Sequence, residues 1–342
     1  METNGGSALE VFLEQQDEGS WAGTLAELAA STHEVDRNAT AIWFAFFPLT
    51  LRRALDEADD PALLARRLLL QGRYELAEQV DASHTFLYGH RFWPQVKQAV
   101  AEYAANLGDA RQATLAGLVR ALAEQAATRA KVKDVSLLVG ITAVALMTLQ
   151  QVGSAAFNRA PGTMLLDAKQ AAKSPEAILR ERARNDAPGL LGFLHTTDKQ
   201  WTVVWDEHDQ SKRFKMVTGQ EVASAAATDK RDWSQIDPRC TIDEGPIPVQ
   251  CRSASCGTCW VGVLGGAEKL SPVATRERKA MKDFGYVDTD EPRPLIRLAC
   301  QAQGSGAISV VIPTWNGVFG KYLRQQREQA DAPEAAALTQ QA

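Results

Sequence analysis

Cys251, Cys256, Cys259 and Cys300 fall in the pattern C-x4-C-x2-C-x40-C, with three thiols crowded into Cys251-Arg-Ser-Ala-Ser-Cys-Gly-Thr-Cys259. Thiolates select soft metals, and a binuclear iron-sulfur cluster needs four of them, two per tetrahedral iron. Three close ligands and a fourth far downstream are one known way to supply that set. Zinc sites favour paired C-x2-C units or a Cys/His mixture, and here the second half of such a pair is missing. A binuclear cluster is anionic, so its loop must offer backbone N–H groups at close range. The small residues Ser253, Ala254, Ser255 and Gly257 suit that approach, with Arg252 and Thr258 completing the loop. Cys240 stands outside the pattern and reads as a lone buried or loop thiol.

The residues around the loop must fold to present it. A chain of 342 residues, 45% hydrophobic and 23% charged, has the make-up of a folded protein with two domains or more. The formal charge is -5, with 15 basic and 20 acidic residues up to Gln170 and 22 of each afterwards. Neither half has the basic surplus that phosphate neutralisation requires, which argues against a nucleic-acid partner. The opening Met-Glu-Thr-Asn-Gly-Gly-Ser has no basic and apolar signal pattern, and four of five cysteines suit a cluster, so a cytoplasmic protein without a disulfide framework is expected.

Residues 1–23 read as a flexible arm and 24–162 as an all-helical domain of five or six helices. Asp60-Pro61 starts one helix and Gly72 closes it; Trp93, Val96, Val100, Tyr103, Ala104 and Leu107 form the apolar stripe of another; Asp109 opens a third. Residues 163–188 form a helical connector. After Pro188-Gly189 the texture changes: Trp201–Trp205 and Arg213–Val217 make a hairpin, 220–227 a short helix, and two strands at 260–264 and 308–312 bracket a helix at 275–284. The tail 326–342 is Gln- and Ala-rich, which predicts disorder.

One stretch raises a membrane question. Residues 135–158 carry no charge and begin with fifteen mostly apolar positions, yet Ser136, Gly140, Thr142, Thr148, Gln150, Gln151 and Gly153 dilute them. A spanning helix needs about 20 predominantly apolar residues. Burial in protein is the favoured expectation and membrane association the alternative.

The loop Cys251–Cys259 resembles that of plant-type 2Fe-2S ferredoxins, and the block from Leu270-Ser-Pro to Arg297-Leu-Ala-Cys300-Gln301 is similar to the adrenodoxin-like branch. The resemblance covers about Gly189 to Leu323, assigned to a domain at 189–325. It implies a β-grasp fold, one-electron transfer at low potential, and a cluster with Cys251 and Cys256 on one iron and Cys259 and Cys300 on the other. The implied fold class is α+β and multidomain: an all-helical N-terminal domain followed by a β-grasp 2Fe-2S ferredoxin domain. The chain departs from the family in a long stretch at 228–247. It departs again where adrenodoxin-like members carry an acidic docking helix, because Arg276, Arg278, Lys279 and Lys282 here accompany Glu277 and Asp283.

Other chemistry is sparse. His84 and His90 lie six apart, not at the four-residue spacing that places two ligands on one helical face, so packed or surface histidines are expected there and at His33 and His195. Trp43, Phe44, Phe46 and Phe47 are spaced as core. Gly304-Ser-Gly306 precedes a strand rather than a helix, so it is a turn and not a dinucleotide fingerprint. Two functions fit these observations. The first is an electron-transfer protein with redox protein partners and a helical domain for docking or assembly. The second is an electron-relay subunit of a larger or membrane-associated redox complex, whose helical half binds a second cofactor, partner or lipid.

Overall fold

The structure, a computed structural model, describes residues 7–105, 114–183, 199–284 and 291–318. In chain order its helices are α1 (Ala8–Glu14), α2 (Glu18–Leu28), α3 (Glu34–Phe46), α4 (Leu49–Asp56), α5 (Pro61–Arg67), α6 (Trp93–Ala105), α7 (Leu115–Ala130), α8 (Ser136–Arg159), α9 (Ala168–Ala171), α10 (Pro175–Ala183), α11 (Val222–Ala226) and α12 (Thr275–Phe284). Its strands are β1 (Gln71–Gly72), β2 (Gln200–Val204), β3 (Arg213–Val217), β4 (Trp260–Gly265), β5 (Ile296–Leu298), β6 (Ile308–Val311) and β7 (Trp315–Asn316). Helices first and a sheet-containing part afterwards make an α+β layout.

The chain packs as two compact units. The first comprises Met1–Arg53, Glu75–Arg184 and Asp206–Lys212; the second comprises Ala54–Tyr74, Asn185–Trp205 and Arg213–Ala342. The sequence suggests a simpler division, at 162 and 189. Residues 54–74 instead fold with the second unit, because Gln71 and Gly72 pair antiparallel with Asn316 and Trp315 and Val318 N–H donates to the Leu68 carbonyl.

In the first unit α8 is the core, packed against α1, α3, α6 and α7. The N-terminal arm expected from composition is a pair of capped helices. Ser7 and Glu10 form a capping box on α1, Asp17 caps α2, and Leu9, Leu13 and Trp21 are buried. Gln150 of α8 fastens them: its amide donates to the carbonyls of Leu13 (2.5 Å) and Gln16 (2.9 Å), and its oxygen accepts from the Trp21 indole (2.6 Å). A polar residue that seemed to dilute the apolar run is therefore a tether. The run is also broken, since Gly153 takes φ 72° and ψ 162°, a conformation that costs a residue with a Cβ. Ser154 N–H, just past that break, is satisfied by the Glu10 carboxylate at 2.8 Å. α8 is long and apolar enough to cross a membrane, but 78% of its most apolar stretch is buried inside the protein, as in a core helix.

Thr114, not Asp109, caps α7; Asp109 lies outside the described residues. The aromatic group is core as expected: Trp43 stacks near Phe44 and Phe47, with centroids 5.4 and 5.2 Å away, and its indole donates to Ser83.

The second unit contains a five-stranded sheet in the order β3-β2-β6-β4-β5. β2 pairs antiparallel with β3 and parallel with β6, and β4 lies antiparallel between β6 and β5. The hairpin, α11, β4, α12 and β6 occur where period and composition place them. β5 is three residues long, too short for a periodic signal, and β1 pairs with a partner more than 240 positions away. Gly72 lies in β1 rather than at a helix end, since α5 stops at Arg67. The long stretch at 228–247 buries Trp233, Cys240 and Ile247. Its Arg239, held by Asp237, donates to the Pro313 carbonyl and Asn316 side chain beside β7.

Candidate metal centre

The four cysteines come together at one end of the β4–β5 ladder. Trp260 faces Leu298 in that ladder, and Ala299 N–H donates to the Cys259 carbonyl at 2.8 Å. Antiparallel pairing thus closes the 40-residue gap in the pattern: Cys259 immediately precedes β4 and Cys300 follows β5 by one residue. A buried ion pair anchors the ladder from beneath. Arg297 and Glu277 are both 0% exposed, joined by two hydrogen bonds of 2.9 Å, and Glu277 also accepts Leu298 N–H at 2.8 Å. Glu277 shares the inner face of α12 with Ala280, Met281 and Phe284. Its three- and four-residue steps from those apolar positions were a sequence signal for burial.

The cluster loop owes its shape to three left-handed residues, Arg252 (φ 50°), Ala254 (φ 58°) and Gly257 (φ 69°). Such reversals turn successive N–H groups inward, making a concave nest for an anion. Ser253 and Ser255 N–H groups point at Cys251 Sγ at 3.4 and 3.3 Å, and Ala254 N–H at Cys300. The Thr258 hydroxyl lies 3.2 Å from Cys256 Sγ, and the Gln301 amide donates to Cys300 Sγ at 3.4 Å. Gln301 is a contributor that sequence reasoning did not assign to the site. Gly257 is fixed twice over, by its positive φ and by the Phe284 ring 2.7 Å from where a Cβ would stand. Outside the nest, the Arg252 guanidinium pairs with Glu244.

The thiols stand as two hydrogen-bonded pairs, Cys251 with Cys256 and Cys259 with Cys300. Burial opposes ionisation of Cys251, yet hydrogen bonds from Ser255, Ser253 and Cys256 bring its pKa down to about 5. The Cys259 thiol brings Cys300 to about 7, and Cys259, donating to Cys300 and buried, is held well above the usual thiol range. The pairs differ in access: Cys259 and Cys300 are 2% exposed, whereas Cys251 and Cys256 are half-buried.

Donor chemistry therefore fits a cluster. Four sulfurs met by inward N–H groups suit two sulfide-bridged irons. Residues 241–303 match the family of 2Fe-2S iron-sulfur cluster binding domains. The cofactor is a 2Fe-2S cluster, and the role is iron-sulfur electron transfer. No curated protein and no solved structure is significantly similar to the chain.

Cys240 is a buried thiol that donates to the Pro246 carbonyl, with burial pushing its pKa up to about 12. His84 and His90 meet despite their spacing, because turns and a tight helical segment at Tyr88–Phe92 replace a regular helix there. Their Nδ1 atoms are 2.9 Å apart, His84 Nε2 reaches the Val80 carbonyl, and His90 Nε2 accepts Leu165 N–H. That acceptor fixes the tautomers: His90 donates through Nδ1 to His84, which donates through Nε2 to Val80. All four ring nitrogens are committed to protein partners. His33 caps α3, and His195 lies outside the described residues.

Proposed function

We propose that the chain is a one-electron carrier with a single 2Fe-2S cluster, bound by Cys251 and Cys256 on one iron and Cys259 and Cys300 on the other. The carrying observation is the two-pair arrangement of these thiols inside a nest of N–H groups. The bound group supplies storage of a single electron. The residues set its conditions: N–H donors to sulfur favour the more negative reduced state, and the low exposure of Cys259 and Cys300 keeps water from one side. The half-buried Cys251 and Cys256 side is the shorter route out for an electron. A β-grasp fold of the plant-type or adrenodoxin-like kind is supported by the strand order, in which the parallel pair β2–β6 has β3 antiparallel on one side and β4 and β5 antiparallel on the other. The helical unit serves docking or assembly in this reading, and the location is cytoplasmic.

The relay-subunit alternative asks the helical half for a second cofactor or lipid. The internally satisfied histidine pair and the burial of α8 favour the simple carrier. An absorption spectrum separates them: a cluster-only spectrum whose visible bands vanish in Cys256→Ser and persist in Cys240→Ser supports the carrier. A Soret or flavin band refutes it, and a chain that sediments unless detergent is present would overturn the location.

A further inference from the structure

We infer that the groove beside the cluster loop is the docking surface for a redox partner presenting a carboxylate-rich face. This rests on the electron-transfer reading above and adds the chemistry of the partner. In sequence α12 is a mixture of charges, but folding sorts them. Glu277 is withdrawn into the core and neutralised by Arg297, so its charge does not reach the surface. Outside remain Arg276, Arg278, Lys279 and Lys282 with Asp283. Arg278 turns to the Glu291 carbonyl, whereas Arg276 and Lys279 are exposed and have no ion-pair partner among the described residues.

Those two cations and Asp283 rim a groove of about 420 Å³ whose apolar lining is Leu69, Ala254, Ala280, Phe284 and Val318. Leu69 is 60% exposed, a large apolar side chain that the fold leaves in water. An apolar centre with a charged rim is the anatomy of a protein-docking patch. Ser255 closes the groove on the loop side, and its N–H is bonded to Cys251 Sγ, so a partner seated here lies within one residue of a cluster ligand. The chain as a whole is acidic, at -5. The two cations at the rim attract a carboxylate-rich partner to this patch against the chain's overall negative charge, which orients the encounter.

The test uses the full, cluster-loaded chain, chemically reduced, and two small oxidants of opposite charge. Each takes one electron: ferric EDTA, an anion, becomes ferrous EDTA, and hexaamminecobalt(III), a cation, becomes cobalt(II). The wild-type rate with ferric EDTA should fall as salt rises, despite the net negative charge. Arg276→Glu/Lys279→Glu should slow it about fivefold at low salt and speed the cobalt reaction, from four units of charge acting through water over roughly 10 Å. Lys133→Glu/Lys169→Glu, the same net change at exposed positions of the helical unit, should alter either rate less than about twofold. Calorimetric titration with poly-glutamate should show binding to wild type and none to the groove variant.

Equal responses to the two double variants, or a ferric EDTA rate that rises with salt in wild type, overturns the proposal. So does groove-dependent sedimentation with phosphatidylserine vesicles in the absence of poly-glutamate binding, which would make the patch a lipid surface. A chain that assembles no cluster would sink the underlying electron-transfer reading instead, while the poly-glutamate titration still decides the surface.

Discussion

Gly257→Ala is the sharpest perturbation of the cluster loop. The new Cβ would stand 2.7–2.8 Å from three atoms of the Phe284 ring. Carbon atoms in contact prefer about 3.5–4.0 Å, so the ring must retreat by about 1 Å. It has little room, being 3% exposed and set edge-on to Trp260 with centroids 5.6 Å apart. Overpacking of that kind costs about 1–3 kcal/mol, and the left-handed φ of 69° adds roughly 1–2 kcal/mol for alanine. The two contributions separate in a double-mutant cycle with Phe284→Leu, which removes the ring and leaves only the backbone cost. The assay is the rate at which visible absorbance bleaches in excess chelator. Gly257→Ala should raise that rate by about a hundredfold in wild type and about tenfold in the Phe284→Leu background, since each 1.4 kcal/mol is tenfold. Equal effects in both backgrounds would refute the steric argument, and no effect in either would refute the loop geometry.

Glu277→Gln should destabilise the second unit by about 3–5 kcal/mol, because it strands Arg297 as a buried cation; adding Arg297→Met should restore most of the urea midpoint. In the first unit, burial pushes the His90 pKa down to about 4 and holds His84 well below the ordinary range. The folded state thus takes up fewer protons than the unfolded chain, and stability falls as pH drops from about 6.5 towards 4, by about 3 kcal/mol for His90. Asp36 acts oppositely: burial raises it to about 6, so its ionisation removes stability as pH rises from about 3.8 through 6, partly offsetting the histidine slope. Proton NMR checks the pair directly, since an imidazole midpoint near 6.5 for either residue would contradict the fixed tautomers. A fragment of residues 189–342 lacks the strand partner of Trp315 and Asn316; its cluster should bleach faster than that of the full chain, and fusing residues 54–74 should restore it.

The gathering of Cys251, Cys256, Cys259 and Cys300 at one end of the β4–β5 ladder was legible because thiol spacing is a local signature and because strand and helix periods on either side agree with it. The α12 boundaries, Thr275–Phe284, were legible for the same reason. What escaped depended on distance or on reading one residue type too simply. β1 and β7 are two-residue strands whose pairing no local pattern announces. Ser7 and Glu10 carried a capping box in plain view, but the Gly- and Ser-rich composition around them masked it. Gln150 was read by polarity as diluting an apolar run, whereas it is a polar residue on an inward face with its partners supplied by tertiary structure. His84 and His90 were judged against helical spacing in a segment that is not a regular helix.

The Gln150 tether also has a consequence in time. α1 and α2 are complete by Leu28, and α8 starts at Ser136, so at ordinary synthesis rates the covering helices leave the ribosome about 5–20 s before the apolar one. The most lipid-like stretch of the chain is therefore born after its own cover. A nick or internal start that removed the first thirty residues would release the same helix with that face bare and with the carbonyls that hold Gln150 gone, exposing it to membrane-insertion machinery or to other nascent chains.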